Sequence, residues 1–198
     1  MWTAMNESGT GPFTNPAQEI RRTFYPGGSV LEEASFRNGK KEGTCHAYDE
    51  NGNIKETLQY RNGMLNGTCV WFYSGGGRMR EASYRRGSME GILKTWYESG
   101  SLKDRWAFKK GKLTGKCQLF YENGSIKEEL HFMNDLREGL NMKYHTNGKV
   151  REEAFYSSDQ LHGTRRVFDE AGKIAIEERY DFGFPLPAGK ASGDAKKR

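Results

Sequence analysis

The chain lacks most of what would announce an enzyme or a membrane protein. No long apolar run interrupts a sequence in which 29 % of residues are charged, so a transmembrane helix is not expected. Met1–Glu7 has neither a basic n-region nor an apolar h-region, so no secretory signal is expected and a cytoplasmic location is. The three cysteines are an odd number with no C-x-x-C spacing, which fits a reducing compartment better than a disulfide framework. Charge in bulk is scarce too. The net +5 includes +3 from the last ten residues, where Lys190, Lys196, Lys197 and Arg198 face one Asp194; the body carries +2. Nucleic-acid binding by bulk charge is therefore not expected.

Catalytic and metal-binding constellations are missing as well. The four histidines, His46, His131, His145 and His162, stand in four unrelated settings, so no nucleophile–base–orienter set can be assembled. Gly111–Cys117 is one residue short of a P-loop and lacks its Ser/Thr. The chain reads as non-catalytic, with no cofactor and no metal site expected.

What the sequence has in abundance is a period. Gly28, Gly52, Gly76, Gly100, Gly124, Gly148 and Gly172 stand 24 apart without a slip. A second glycine column runs Gly43, Gly67, Gly91, Gly115, Gly139 and Gly163. A third runs Gly39, Gly63, Gly87 and Gly111, then Asp135 and Asp159, then Gly183. Two aromatic columns keep the same step: Phe24, Tyr48, Phe72, Trp96, Phe120, Tyr144, Phe168, and Phe36, Tyr60, Tyr84, Phe108, Phe132, Tyr156, Tyr180. Self-similarity at a fixed period marks a repeat architecture.

Each unit reads as two strands and two turns. Asn-Gly at 51–52, 123–124 and 147–148 marks the first turn, since both residues accept φ > 0 cheaply. The second turn is Arg37–Gly43 and its equivalents, where aspartate replaces glycine as expected for a left-handed position. The strand after the first turn alternates: Val30, Ala34 and Phe36 on one face, and likewise Ile54, Leu58 and Tyr60. The return strand, such as Thr68–Phe72, has apolar residues of both parities, which predicts a bulge or burial on both sides.

The predicted fold is all-β: seven 24-residue hairpin units over residues 21–183, forming one long, twisted and curved antiparallel meander sheet. At ~10 Å per unit it spans roughly 70 Å. Residues 1–20 are expected to lead into and cap the array, Phe184–Pro187 to stop it, and the basic tail within 184–198 to be disordered.

The unit, aromatic–x–x–x–Gly–x–Ile/Leu–x–Glu–(x)3–Tyr/Phe–x–x–Gly–x–x–x–Gly, resembles the variant MORN repeat. It looks most like the bacterial YwqK-type antitoxin family, in which this hairpin recurs in tandem. The resemblance implies a binding scaffold, and the family label implies immunity to a cognate toxin. One column departs from it: where the family often has a bulky aromatic, this chain has Cys45, Cys69, Leu93, Cys117, Asn141 and Arg165.

Four groups of residues remain to be weighed. The cysteine column reads as small apolar filler, because equivalent slots ~10 Å apart cannot converge on a metal. The acidic column Glu32, Glu56, Asp104, Glu128 and Glu152 shares the parity of core residues and is expected to pair with backbone or cations. Tyr73, Tyr97 and Tyr121 open the first turn in three consecutive units, with Trp71 and Trp106 in the same stretch. They are the candidate protein-partner stripe, set against ordinary packing over the turn. The second-turn corner is basic in the first four units, at Arg37, Lys40, Lys41, Arg61, Arg85, Arg86, Lys109, Lys110 and Lys112. Its alternatives are a solvated edge that blocks aggregation and a surface for an anionic membrane or phosphate-bearing ligand.

Overall fold

The seven alternating strands fall at one step of 24 residues: Val30–Arg37, Ile54–Arg61, Arg78–Arg85, Leu102–Lys109, Ile126–Met133, Val150–Ser157 and Ile174–Asp181. The computed structural model describes residues 18–187, and among these there is no helix. The leading segment 1–17 and the basic tail from 188 onward lie outside the described residues. Between the long strands run the return strands. Lys40–Tyr48 and Gln160–Phe168 are continuous; the others break in two, as in Met64–Leu65 followed by Gly67–Phe72. Every strand pairs antiparallel with its neighbours in sequence, which makes one open meander.

The sheet also extends past both expected limits of the array. Glu19–Phe24 pairs with Val30–Arg37, and Phe184–Leu186 pairs with Ile174–Asp181, with Pro185 opposite Tyr180. Proline in this last described strand removes a ladder donor where no further strand among the described residues needs it.

The expected bulge lies in the return strand. Tyr60 pairs with Leu65, yet Thr57 pairs with Val70, so the return strand holds two more residues than its partner over this interval. Gly67 sits in this bulge at φ +113°, and a Cβ built there would meet Cβ of Gln59 at 3.1 Å. Gly67 therefore serves both conformation and close approach, whereas Gly115 and Gly139 in the same column have positive φ with open space at the Cβ position.

The two turns differ from each other in a way the dipeptides do not reveal. The second turn is a two-residue loop with both residues at positive φ, as in Asn62 (51°) and Gly63 (79°), which is the type I′ hairpin. Asp135 and Asp159 take the glycine slot at φ 73° and 69°. The first turn, read from its Asn-Gly as the same kind of loop, is longer. In it Gly52 has φ 85°, while Asn51 is absent from the positive-φ residues. Asp49 closes the loop instead: its N–H donates to the Asn53 carbonyl, and its Oδ1 accepts from the N–H groups of Asn51 and Asn53.

At the base of the first turn a further bulge corrects the predicted face of Val30. Ala47 pairs with Glu56 but Tyr48 with Ile54, so Lys55 is unpaired and Ile54 swings to the Tyr48 side. Val30 does the same and lines a surface cavity with Arg22, Glu33 and Tyr48, opposite the face of Ala34 and Phe36.

Candidate functional site

Cross-strand register sorts one face of the sheet into three rows. The middle row runs Ala34, Cys45, Leu58, Cys69, Ala82, Leu93, Trp106, Cys117, Leu130, Asn141, Ala154, Arg165, Glu178. Among the described residues it contains every buried side chain: Cys69, Ala82 and Cys117 at 0 % exposure, Ala34 and Cys45 at 1 %, Ala154 at 3 % and Asn141 at 6 %. Small groups are buried in a single sheet because larger neighbours on both sides lean over them. One flanking row is aromatic, from Phe36 and Tyr60 to Tyr180. The other contains the acidic column and its cross-strand partners.

The cysteines do more than fill space. Where the return strand breaks, the bulge can strip an inward N–H on the long strand of its ladder partner, and in two units the return-strand side chain takes its place. The N–H of Gln59 donates to Sγ of Cys69 at 3.5 Å, and His131 N–H donates to Oδ1 of Asn141 at 2.8 Å. Sulfur is a weak acceptor, but a buried N–H left without one costs about 1–3 kcal/mol. Burial pushes all three thiols up, Cys45 to about 11.

The acidic column is partly matched. Glu32 accepts Lys41 at 2.8 Å, and Glu152 accepts both Lys143 and Arg165 at 3.1 Å. In the third unit Arg80 occupies the acidic slot, with its guanidinium 4.8 Å from the Trp71 ring centre. Arg80 pairs across to Thr95, and Thr95 to Asp104. Arg80 Nε, Thr95 Oγ1 and Asp104 Oδ1 are all buried without a hydrogen-bond partner, three adjacent orphans on three strands. Periodicity missed this cluster, because it exists only where an arginine interrupts a carboxylate column.

The five stripe residues fall into separate positions. Tyr73, Tyr97 and Tyr121 are half-buried at the first-turn margin, and their hydroxyls donate to the carbonyls of Trp96, Phe120 and Tyr144 at 2.6, 2.9 and 2.7 Å. Tyr25 does the same to Tyr48, and His145 Nε2 reaches the Phe168 carbonyl, so in five units this slot ties one turn to the next, while Asp49 bonds only within its own turn. Trp71 lies in the charged row beside Arg80. Trp106 lies in the middle row, with its ring 6.2 Å from that of Phe132.

The basic corner opens into two neighbouring cavities. One of about 680 Å³ is lined by Arg61, Asn62, Asn66, Tyr84, Arg85 and Arg86 among others; one of about 270 Å³ by Arg85, Arg86, Ser88, Glu90 and Lys110. The Glu90 carboxylate there accepts the Lys110 N–H at 2.7 Å. Arg61, Arg85, Arg86, Lys109, Lys110 and Lys112 form no ion pair among the described residues, whereas Lys41, Arg137, Lys143, Arg165 and Arg166 all do. Arg37 has its Nε buried without a partner. Among the described residues no three histidine, cysteine or carboxylate side chains cluster as metal ligands would.

Two comparisons bear on this architecture. The family model described as MORN repeat variant matches residues 41–62, 89–110, 113–134, 137–158 and 161–181. No curated protein matches the chain. The stretch between the first two matches contains Gly75–Gly77 and the arginine interruption, yet folds into the same hairpin, with Gly67 opposite Tyr84 and Cys69 opposite Ala82.

Proposed function

Because the chain belongs to the MORN repeat variant family, whose repeats are generally associated with binding or scaffolding, we propose that it captures a protein partner on the cysteine-bearing face. The partner would dock between Trp71 and Trp106. The observation that carries this reading is the row of orphans at Arg80, Thr95 and Asp104. Two donors or hydroxyls and one acceptor, walled by aromatic rings, describe an interface hot spot awaiting its complement. The tyrosine stripe would contribute its ring faces at the margin, since its hydroxyls already have acceptors. The resemblance to YwqK-type antitoxins extends the proposal to a cognate toxin, neutralised in the bacterial cytoplasm.

The test is growth rescue. The gene neighbouring this one would be expressed alone and together with the chain; rescue supports the antitoxin reading, and persistent arrest rejects it. Thr95→Val with Trp71→Ala should weaken capture of that protein by about tenfold or more while the fold survives. Unchanged capture would move the interface elsewhere.

A second reading rests on a different observation. Arg86 and Lys110 hold φ of 50° and 51°, where sister turns have Asn38, Asn62 and Asn134, and also Ser158 and Phe182. Cations kept at strained positions beside further unpaired cations suggest an anionic ligand, a lipid surface or a phosphate. Sedimentation with phosphatidylserine vesicles at low salt, abolished in Arg85→Glu/Arg86→Glu/Lys109→Glu/Lys110→Glu, would support it; indifference of the natural chain to these vesicles and to inorganic phosphate would end it.

A further inference from the structure

Two repeats beyond the tryptophans, the same face holds a cavity of about 310 Å³, lined by Glu128, Leu130, Arg137, Asn141, Lys143, Glu152, Ala154 and Tyr156. Its floor is Asn141, which stands in the slot where other units have cysteine and is 6 % exposed. The orientation of its amide is fixed. Oδ1 must face the His131 N–H at 2.8 Å, because a flipped amide would set donor against donor. Nδ2 is thereby turned away from that bond, and it is buried with no partner.

The other polar groups of the cavity are mostly engaged. Lys143 is bonded to Glu152, which also takes Arg165. Arg137 is paired with Asp159 at 2.7 Å and lies 4.0 Å over the Tyr156 ring. Glu128 has neither an ion pair nor a hydrogen bond among the described residues, although Lys143 is its cross-strand neighbour, and the Tyr156 hydroxyl has no hydrogen bond there either. The one buried unmet need is an acceptor for Asn141 Nδ2; the Glu128 carboxylate, open at the cavity mouth, is free to accept a donor. Two carboxylates and two cations line the cavity, so the set is balanced and favours no lone ion. Leu130 and Ala154 supply apolar wall.

We propose that this cavity is a subsite for a carboxamide, whose carbonyl oxygen accepts from Asn141 Nδ2 and whose N–H donates to Glu128. The group fits the cavity whether it belongs to a glutamine or asparagine side chain or to a peptide bond. The inference is independent of the partner site between the tryptophans.

The experiment follows the Asn141 side-chain NH2 signals of the full ¹⁵N-labelled chain during titration. The probes are propionamide (primary amide), N-methylacetamide (secondary amide) and sodium propionate (anion of similar size). A saturable shift with either amide and none with propionate is expected. Propionamide alone would assign a side-chain amide, and N-methylacetamide a peptide bond. Asn141→Cys restores the residue that fills this slot in three other units and should keep the fold. Followed through the backbone amides of Leu130 and Ala154, it should lose amide binding by at least ~fivefold, the cost of one unmade buried hydrogen bond. Glu128→Ala should weaken it as well. No saturable shift with either amide, equal response to propionate, or full binding by Asn141→Cys would each overturn the proposal.

Discussion

At the residue scale the cysteine column shows how a side chain can be assigned the right environment and only half its role. Small and apolar was legible, because the column recurs at slots ~10 Å apart that cannot converge on a metal. The hydrogen bond from Gln59 N–H to Cys69 was not, since the orphan N–H arises from the width of a bulge that no residue pattern encodes. Two outcomes follow. With burial holding the Cys45 thiol at about 11, only about one molecule in a thousand carries its thiolate at pH 8. Iodoacetamide at that pH should label none of the three cysteines in the folded chain and all three in urea, read by intact mass. Cys69→Ala should cost about 1–3 kcal/mol in a urea melt, more than its lost volume alone, because Gln59 is left without an acceptor. The left-handed Lys110 gives the opposite sign. Lys110→Asn should stabilise the chain by about 0.5–1 kcal/mol, since asparagine tolerates this φ and sister turns use it.

At the scale of the element the hairpin decomposes into two turns that share a sequence vocabulary and differ in length. Asn-Gly opens a type I′ loop at 62–63 but closes a longer loop at 51–52, where Asp49 supplies the hydrogen bonds. The period located both turns. Their types were not separable, because the deciding contact is made by a residue two places upstream. The same holds for the face of Val30: alternation places it inward, and a one-residue bulge sends it outward. Gly124 tests the first turn. At φ +84° with open space around its Cβ position, valine should cost at least ~1 kcal/mol and asparagine far less. Equal losses would place the glycine outside the left-handed region. Gly67→Ala should do worse than Gly124→Ala, as the added methyl meets Gln59 at 3.1 Å as well as an unfavourable φ.

At the scale of the whole molecule the array is nearly one-dimensional, each unit touching only its neighbours, so stability is a sum of local interfaces. Those interfaces are not alike. The middle row is apolar from Ala34 to Leu130 and turns polar at Asn141, Arg165 and Glu178. Past that point ion pairs take over: Glu152 with Lys143 and Arg165, Arg165 with Glu178, Arg166 with Glu153 and Glu177. Burial pushes the Glu152 carboxyl up, but Arg165 and Lys143 more than offset this and hold it below the usual glutamate range. A carboxyl depressed in the folded state contributes stability above its ordinary pKa of about 4.3 and loses that contribution as pH falls through the lower folded value. Acid should therefore open the molecule from its C-terminal end. Amide exchange compared between pH 6 and pH 3, corrected for intrinsic rates, should show protection falling first over Val150–Asp181. Val30–Phe72 should hold longer, since its middle row of alanine, cysteine and leucine does not titrate in this range and it has only the Glu32–Lys41 and Glu33–Arg22 pairs and the Asp49 turn to lose. Arg165→Met should reduce the difference in protection between pH 6 and pH 3 by removing the charge that depresses Glu152. Uniform loss along the array at pH 3 would show that the ion pairs do not set the order of opening.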